Sequence, residues 1–184
     1  MRTALSVANQ PAVHLRLAEA DDAGELFQLI NPVHQRKHLQ HQLWIHGITD
    51  VADAELHVAN KMHDMKVGDT LQYRVMEGSV QTETPRIIGS VTLHARNPVN
   101  STAYLGYWLE QDSVGKGYAL AATREVLHLG QQAWGLRQIK MDISPENTPS
   151  ERLATRLGAQ PTGVFEAHDA HGSAHLMQLW SMDL

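Results

Sequence analysis

The 184-residue chain contains no cysteine. Disulfides, thiolate nucleophiles and cysteine-based zinc sites are therefore excluded. Long apolar runs are also missing. The longest, such as Leu105 to Leu109, are far short of the ~20 residues that cross a bilayer. After Met1-Arg2 the segment TALSVANQPAVHL has no sustained apolar core, so no secretory signal is read and a cytoplasmic location is expected. Basic residues are few and scattered: Lys and Arg number 15 against 20 Asp and Glu, for a net charge of −5. Such a chain does not favour a nucleic-acid backbone as its principal ligand. Glycine and proline form no block and no internal repeat is visible, which removes collagen-like, low-complexity and disordered readings.

Apolar residues make up 42% and charged residues 19% of the chain, a balance that fits one globular domain with a sizeable core. Twelve histidines are the compositional surplus, and protonating all of them moves the formal charge from −5 to +7. Mild acid should therefore change the surface strongly.

The pattern along the chain is mixed α/β. Alternation predicts a strand over 13–17, and the acidic run Glu19 to Asp22 opens a helix carrying Leu26, Leu29 and Ile30 on one face. Pro32 ends or kinks it. Residues 33–44 and 51–65 read as two helical pieces with Gly47 to Asp50 between them. Gly68-Asp69 then turns the chain into strands over 71–76, 86–94 and 103–109, an antiparallel run whose first connection is the polar EGSVQTETP segment, 77–85. Tyr118 to Trp134 carries Ala122, Val126 and Leu129 at helical spacing and stops at Gly135. A buried strand, 139–143, follows. Thr148-Pro149-Ser150-Glu151 reads as a capping box with proline at the first helical position, and Gly158 ends that helix. Strands near 163–167 and 175–182 close the chain around the His171-Gly172 turn.

Gly115-Lys116-Gly117 joins a strand end to a helix start. Two glycines let backbone N–H groups curl toward one point, and the helix terminus favours an anion there, so the loop suits a phosphate or pyrophosphate. The same loop is equally readable as a tight connection without a ligand. It completes neither the dinucleotide fingerprint, because position 120 is leucine, nor the P-loop pattern.

Its surroundings carry more. Gly89-Ser90-Val91-Thr92-Leu93, Leu105-Gly106-Tyr107-Trp108-Leu109, Gly115-Lys116-Gly117-Tyr118-Ala119 and Asn147-Thr148-Pro149-Ser150 with Arg156-Leu157-Gly158-Ala159 together resemble the GNAT acyltransferases. The resemblance is nearest to their ribosomal-protein N-terminal acetyltransferase (RimJ/RimL-like) branch. It implies an α/β, α+β-mixed single-domain GNAT fold: a mixed, mostly antiparallel sheet of about seven strands, splayed between the fourth and fifth, flanked by about four helices. Residues 13–184 would form that domain and 1–12 an extension. Acetyl-CoA would be the co-substrate, with no metal in the reaction, and the splayed strands would be 103–109 and 138–143.

Carried over residue by residue, the resemblance places the pantetheine and thioester at Trp108 and Leu109, and the pyrophosphate at Gln111, Ser113, Val114, Gly115, Lys116, Gly117 and Tyr118. Asp112 stands where the family usually has a basic or amide residue. Asn147 would hold the pantetheine or shape the turn before the helix. Ala154 occupies the position of the family's frequent tyrosine proton donor, while Ser150 matches the serine that serves the leaving thiolate in the ribosomal-protein branch. Asp169 and Glu166, with His168 between them, are the candidate bases; each is equally readable as a solvated turn residue.

His34, His38 and His41 recur on one helical face at a spacing that can bind a metal, but with no matching carboxylate they read as a solvated face. Residues 33–65 fall where GNAT proteins build the acceptor side. The implied function is direct transfer of acetyl from acetyl-CoA to a primary amine, a protein or peptide N-terminus first and a small-molecule amine second, by a monomer or homodimer. The rival is a non-catalytic GNAT-fold protein that binds or senses acyl-CoA.

Overall fold

A computed structural model describes residues 4–7, 13–78 and 84–184. The strands are β1 (Ala4–Ser6), β2 (Val13–Leu17), β3 (Leu71–Glu77), β4 (Arg86–Asn97), β5 (Thr102–Leu109), β6 (Gln138–Ile143), β7 (Gln160–His168) and β8 (Ala174–Asp183). They form one sheet in the order β1-β2-β3-β4-β5-β6-β8-β7. Every neighbouring pair is antiparallel except β5 and β6. Among the described residues the sheet thus has eight strands where about seven are expected; the additional one is β1, within the expected extension. Part of the expected 77–85 connection, residues 79–83, lies outside the described residues.

Among the described residues, five α-helices flank the sheet: α1 (Ala23–Ile30), α2 (Val33–His38), α3 (Val51–Lys66), α4 (Tyr118–Trp134) and α5 (Thr148–Leu157). Each face of the sheet has its own core. On one, Val126 and Leu127 of α4 and Ala154 of α5 pack with Leu15, Val75, Val91, Leu105 and Ile139 from successive strands. On the other, Leu26 and Ile30 of α1 and Ala54 and Val58 of α3 enclose Leu39, Ile45, Ile48 and Trp108. Alternation along β5 sends Leu105 and Leu109 to the first core and Trp108 to the second.

The predicted helix over 33–44 ends at His38, and Leu43–Gly47 is a separate 3-10 turn. Burial of Leu39, Ile45 and Ile48 sets this break, with the Arg36 guanidinium donating to the Ile45 and Ile48 carbonyls. A polar periodic pattern is overridden when three aliphatic side chains can reach one core.

Asp22 locks the entry to α1. Its carboxylate receives Arg16 at 2.5 Å, Arg74 at 2.8 Å and the Glu19 amide at 3.0 Å. Burial alone would raise its pKa, but the Glu19 amide and the two guanidinium groups outweigh that and hold it below the ordinary aspartate value.

Candidate active site

The two parallel strands, β5 and β6, pair only from Thr102 to Tyr104 against Gln138 to Lys140. Beyond that point β5 stays with β4 up to Leu109, and β6 stays with β8 up to Ile143. The strands splay, and a cleft of about 380 Å³ opens at the divergence. Its walls are His38, His41 and Gln42 on one side, Tyr107 to Leu109 along the strand, Val114, Gly115 and Gly117 to Leu120 at the head of α4, and Asn147, Ser150, Arg152 and Arg156 at the head of α5.

The loop before α4 is held from behind. Glu110 is buried, grips Arg86 through both oxygens at 2.8 and 2.6 Å, and accepts the Ser113 hydroxyl at 2.8 Å. Its pKa is lowered, because Arg86, Ser113 and Lys116 together outweigh its burial. With that anchor fixed, Gly115 and Gly117 take φ values of +78° and +82°. This region disfavours side chains with a Cβ, and it lets successive N–H groups turn toward one point at the α4 terminus.

The strand edge is set by two side chains of the opposite wall. Gln42 Nε2 donates to the Tyr107 carbonyl at 3.2 Å, and His38 Nε2 to the Leu109 carbonyl at 3.1 Å. Both carbonyls face away from β4, whereas the Trp108 carbonyl lies so close to Gly89 that a Cβ there would collide with it. Tyr107 and Leu109 therefore present their main chain to the cleft, and Trp108 presents only its ring.

At the head of α5, Asn147 is the N-cap: its side chain accepts the Ser150 amide at 3.2 Å. The capping box read from Thr148 is thus shifted by one residue, because the Asn147 amide oxygen reaches the third helical N–H. The Ser150 hydroxyl lies 2.8 Å from the Tyr107 hydroxyl, which also reaches the Ser150 carbonyl at 3.1 Å. Burial pushes the Tyr107 phenol up to about 12, against a smaller opposing effect of its bond to Ser150, so the phenol stays protonated.

Strand splay, strand edge, glycine loop and capped helix coincide with one family. Residues 12–160 match the model of the "Acetyltransferase (GNAT) domain". The chain belongs to the GNAT acetyltransferases. Curated relatives include the uncharacterized N-acetyltransferase p20 of Bacillus licheniformis, 27% identical over 84% of this chain and 83% of that protein. A shorter match, 31% identical over 39% of this chain and 40% of the other, is to the ribosomal-protein-serine acetyltransferase of Escherichia coli (strain K12). Among solved structures, RimL, a ribosomal L7/L12 alpha-N-protein acetyltransferase in complex with coenzyme A, superposes with TM-score 0.84 at 19% identity, covering 99% of this chain and 98% of that one. The microcin C7 self-immunity acetyltransferase MccE, in complex with acetyl-CoA and AMP, superposes with TM-score 0.80 at 21% identity, covering 94% and 93%.

Of the site residues named from sequence, this acetyltransferase brings Trp108, Leu109, Val114, Gly115, Gly117, Tyr118, Asn147 and Ser150 to the cleft. Ser113 is fully buried and turned toward Glu110. Gln111 and Lys116 are exposed and do not border the cleft; the Gln111 amide instead donates to Gln35. Neither candidate base reaches the cleft. Glu166 is exposed beside His168 on β7, and Asp169 sits in the β7–β8 hairpin, bonded to His46 and His175. Its contacts with those imidazoles, aided by two backbone amides, hold its carboxyl well below the usual range. Such a group is a poor proton acceptor at neutral pH.

The three histidines read as one helical face do not share one: α2 ends at His38, so His41 lies beyond it; His38 and His41 border the cleft, His38 also bonding the Leu109 carbonyl, and His34 is exposed. Sequence reasoning left Arg152 and Arg156 out of the site, although both border the cleft. Their spacing of four, beginning two residues after Ser150, is the available signal.

Proposed function

We propose that the protein transfers acetyl from acetyl-CoA directly to a primary amine, with a protein or peptide N-terminus as its acceptor, and that residues 13–184 are the catalytic domain. The observation that carries this reading is the Ser150–Tyr107 hydroxyl pair, placed in the same cleft as the glycine loop and the open β5 edge. The N–H groups around Gly115 and Gly117, with positive charge from Arg152 and Arg156, suit the diphosphate. The main chain of Tyr107 and Leu109 suits the pantetheine and the thioester oxygen.

In the reaction the neutral amine nitrogen bonds to the thioester carbon and the C–S bond breaks. Ser150 then gives its proton to the departing sulfur, backed by the Tyr107 hydroxyl. His41 receives the proton that the amine loses and releases it to solvent, from which Ser150 regains its own, so that amide and CoA thiol are the net products; among the described residues the His41 ring has no protein partner. With no cysteine in the chain, no acyl group rests on sulfur of the enzyme. The branch assignment is supported by the fold of RimL and the partial match to the ribosomal-protein-serine acetyltransferase.

The deciding experiment follows thiol release from acetyl-CoA with a panel of N-terminal peptides and small amines. Turnover with peptides, losing ten- to a thousandfold in Ser150→Ala at unchanged CoA affinity, is the expected result. Preference for a small amine would move the acceptor class. CoA binding without thiol release from any amine would make the protein a holder of acyl-CoA.

A further inference from the structure

Outside the cleft, two distant stretches of chain meet at a single carboxylate oxygen. His46, in the Leu43–Gly47 turn, places Nδ1 2.9 Å from Asp169 Oδ2, and His175 at the start of β8 places Nε2 3.1 Å from the same atom. All three donor atoms lie within 4.8 Å of one another. The partners behind them are also fixed. His46 Nε2 donates to the Gln40 carbonyl at 3.0 Å, and Asp169 Oδ1 accepts the His171 and Ser173 amides, both at 2.9 Å. A carbonyl can only accept, so the proton of a neutral His46 ring is on Nε2 and Nδ1 presents a lone pair. That lone pair points at a carboxylate oxygen. Two acceptors at this distance need a positive species between them, either a second ring proton or a cation.

We propose that His46, Asp169 and His175 form a zinc site that staples the Leu43–Gly47 turn to the β7–β8 hairpin. Two imidazoles and one carboxylate are an N/O donor set that suits zinc. The carbonyl behind His46 and the amides behind Asp169 are the outer partners that orient such ligands. Zinc bonds of about 2.0–2.2 Å in a tetrahedron place ligand atoms roughly 3.3 Å apart, so the two separations from Asp169 Oδ2, 2.9 and 3.1 Å, need to open by only a few tenths of an ångström, and the two imidazole nitrogens already lie within 4.8 Å of each other. The Asp169 side chain is 5% exposed, whereas those of His46 and His175 are 25% and 34% exposed, which gives the ion an entry path and a fourth position for water. The segments already touch: a Cβ on Gly47 would lie 3.0 Å from that of Ala170. None of the three ligands borders the cleft, so the site is structural and independent of the proposed acetyl transfer.

The test titrates chelator-stripped full-length protein with Zn²⁺ against a chromogenic chelator, with melting followed in parallel. One ion per chain at sub-micromolar affinity, with a raised melting temperature, is expected. His175→Gln, which changes a partly exposed ligand, should weaken that affinity at least a hundredfold, and Asp169→Asn should do the same. His34→Gln removes an exposed imidazole elsewhere and should leave it unchanged. Circular dichroism of the metal-free variants separates ligand loss from misfolding, and His175→Gln alone decides the matter if Asp169→Asn does not fold. Absence of saturable one-to-one binding below 10 µM overturns the proposal and leaves a proton as the shared cation. Affinity unaltered in His175→Gln overturns it equally, by placing the ion elsewhere.

Discussion

The cleft has a proposed donor wall and a proposed acceptor wall; on the first, what faces the cleft is largely backbone: the Gly115–Gly117 loop, the head of α4 and the main chain of Tyr107 and Leu109. On the acceptor wall it is side chains, His38, His41 and Gln42, carried by a chain that leaves its helix at His38 to bury Leu39 and Ile45. Backbone recognition needs particular φ values at particular spacings and so leaves a pattern in sequence. Side-chain recognition needs only that distant groups arrive together, and many sequences satisfy that.

This contrast is tested most severely at the loop. Gly115→Val and Gly117→Val should each weaken CoA binding by more than about a hundredfold, because a β-branched residue resists positive φ. Calorimetry should show the loss while circular dichroism shows an intact fold; parent-like binding in both would mean that the donor wall does not read phosphate through this backbone.

Next in size is the hydroxyl pair that joins the walls. Ser150→Ala should lower turnover by roughly ten- to a thousandfold, and Tyr107→Phe by less. Because the two hydroxyls act as one unit, the double variant should lose less than the product of the single losses. Multiplicative losses in steady-state kinetics would separate the two residues.

The acceptor wall has a pH liability that the donor wall lacks. Half-buried His57 stacks on Trp44 at a ring distance of 4.9 Å, and its partial desolvation, with Lys61 and Arg74 nearby, brings its pKa down to about 4. The unfolded chain takes up that proton near the ordinary value of about 6.5. The stabilisation is therefore complete above that pH and is lost as pH falls through 6.5 toward 4. Over that window the parent should lose about 3 kcal/mol more than His57→Phe in denaturant melts. Parallel pH profiles for the two proteins would reject the assignment.

The smallest effect is expected from Gln42→Ala, which removes one bond to the Tyr107 carbonyl. At about 1 kcal/mol per hydrogen bond, the KM for the amine should rise about fivefold with CoA affinity unchanged. A larger effect on CoA than on the amine would show that Gln42 belongs to the donor wall.

Much of the backbone that lines the proposed donor wall is legible in the sequence. Gly115, Gly117, Asn147 and Ser150 were found from spacing and resemblance, and the splay of 103–109 from 138–143 followed from the same motifs. The departures have local causes. Ser113 turned inward because Glu110 offered a buried acceptor, and the α5 cap moved to Asn147 because its amide reached the Ser150 N–H. Asp169 was read as a candidate base from its place near the hairpin, but its partners are His175, in the same hairpin, and His46, which lies 123 positions away in sequence.

The sequence by itself determined most of the order of elements, the family and the backbone that lines one wall of the cleft, since periodicity, glycine placement and helix caps are local constraints written in neighbouring residues. Only the tertiary structure decided which side chains meet. Tyr107 finds Ser150 across the cleft, Glu110 finds Arg86, and His46 finds Asp169 and His175. These are meetings between elements far apart in the chain, set by how two cores close on the faces of one sheet, and no short stretch of sequence contains both partners of those long-range contacts.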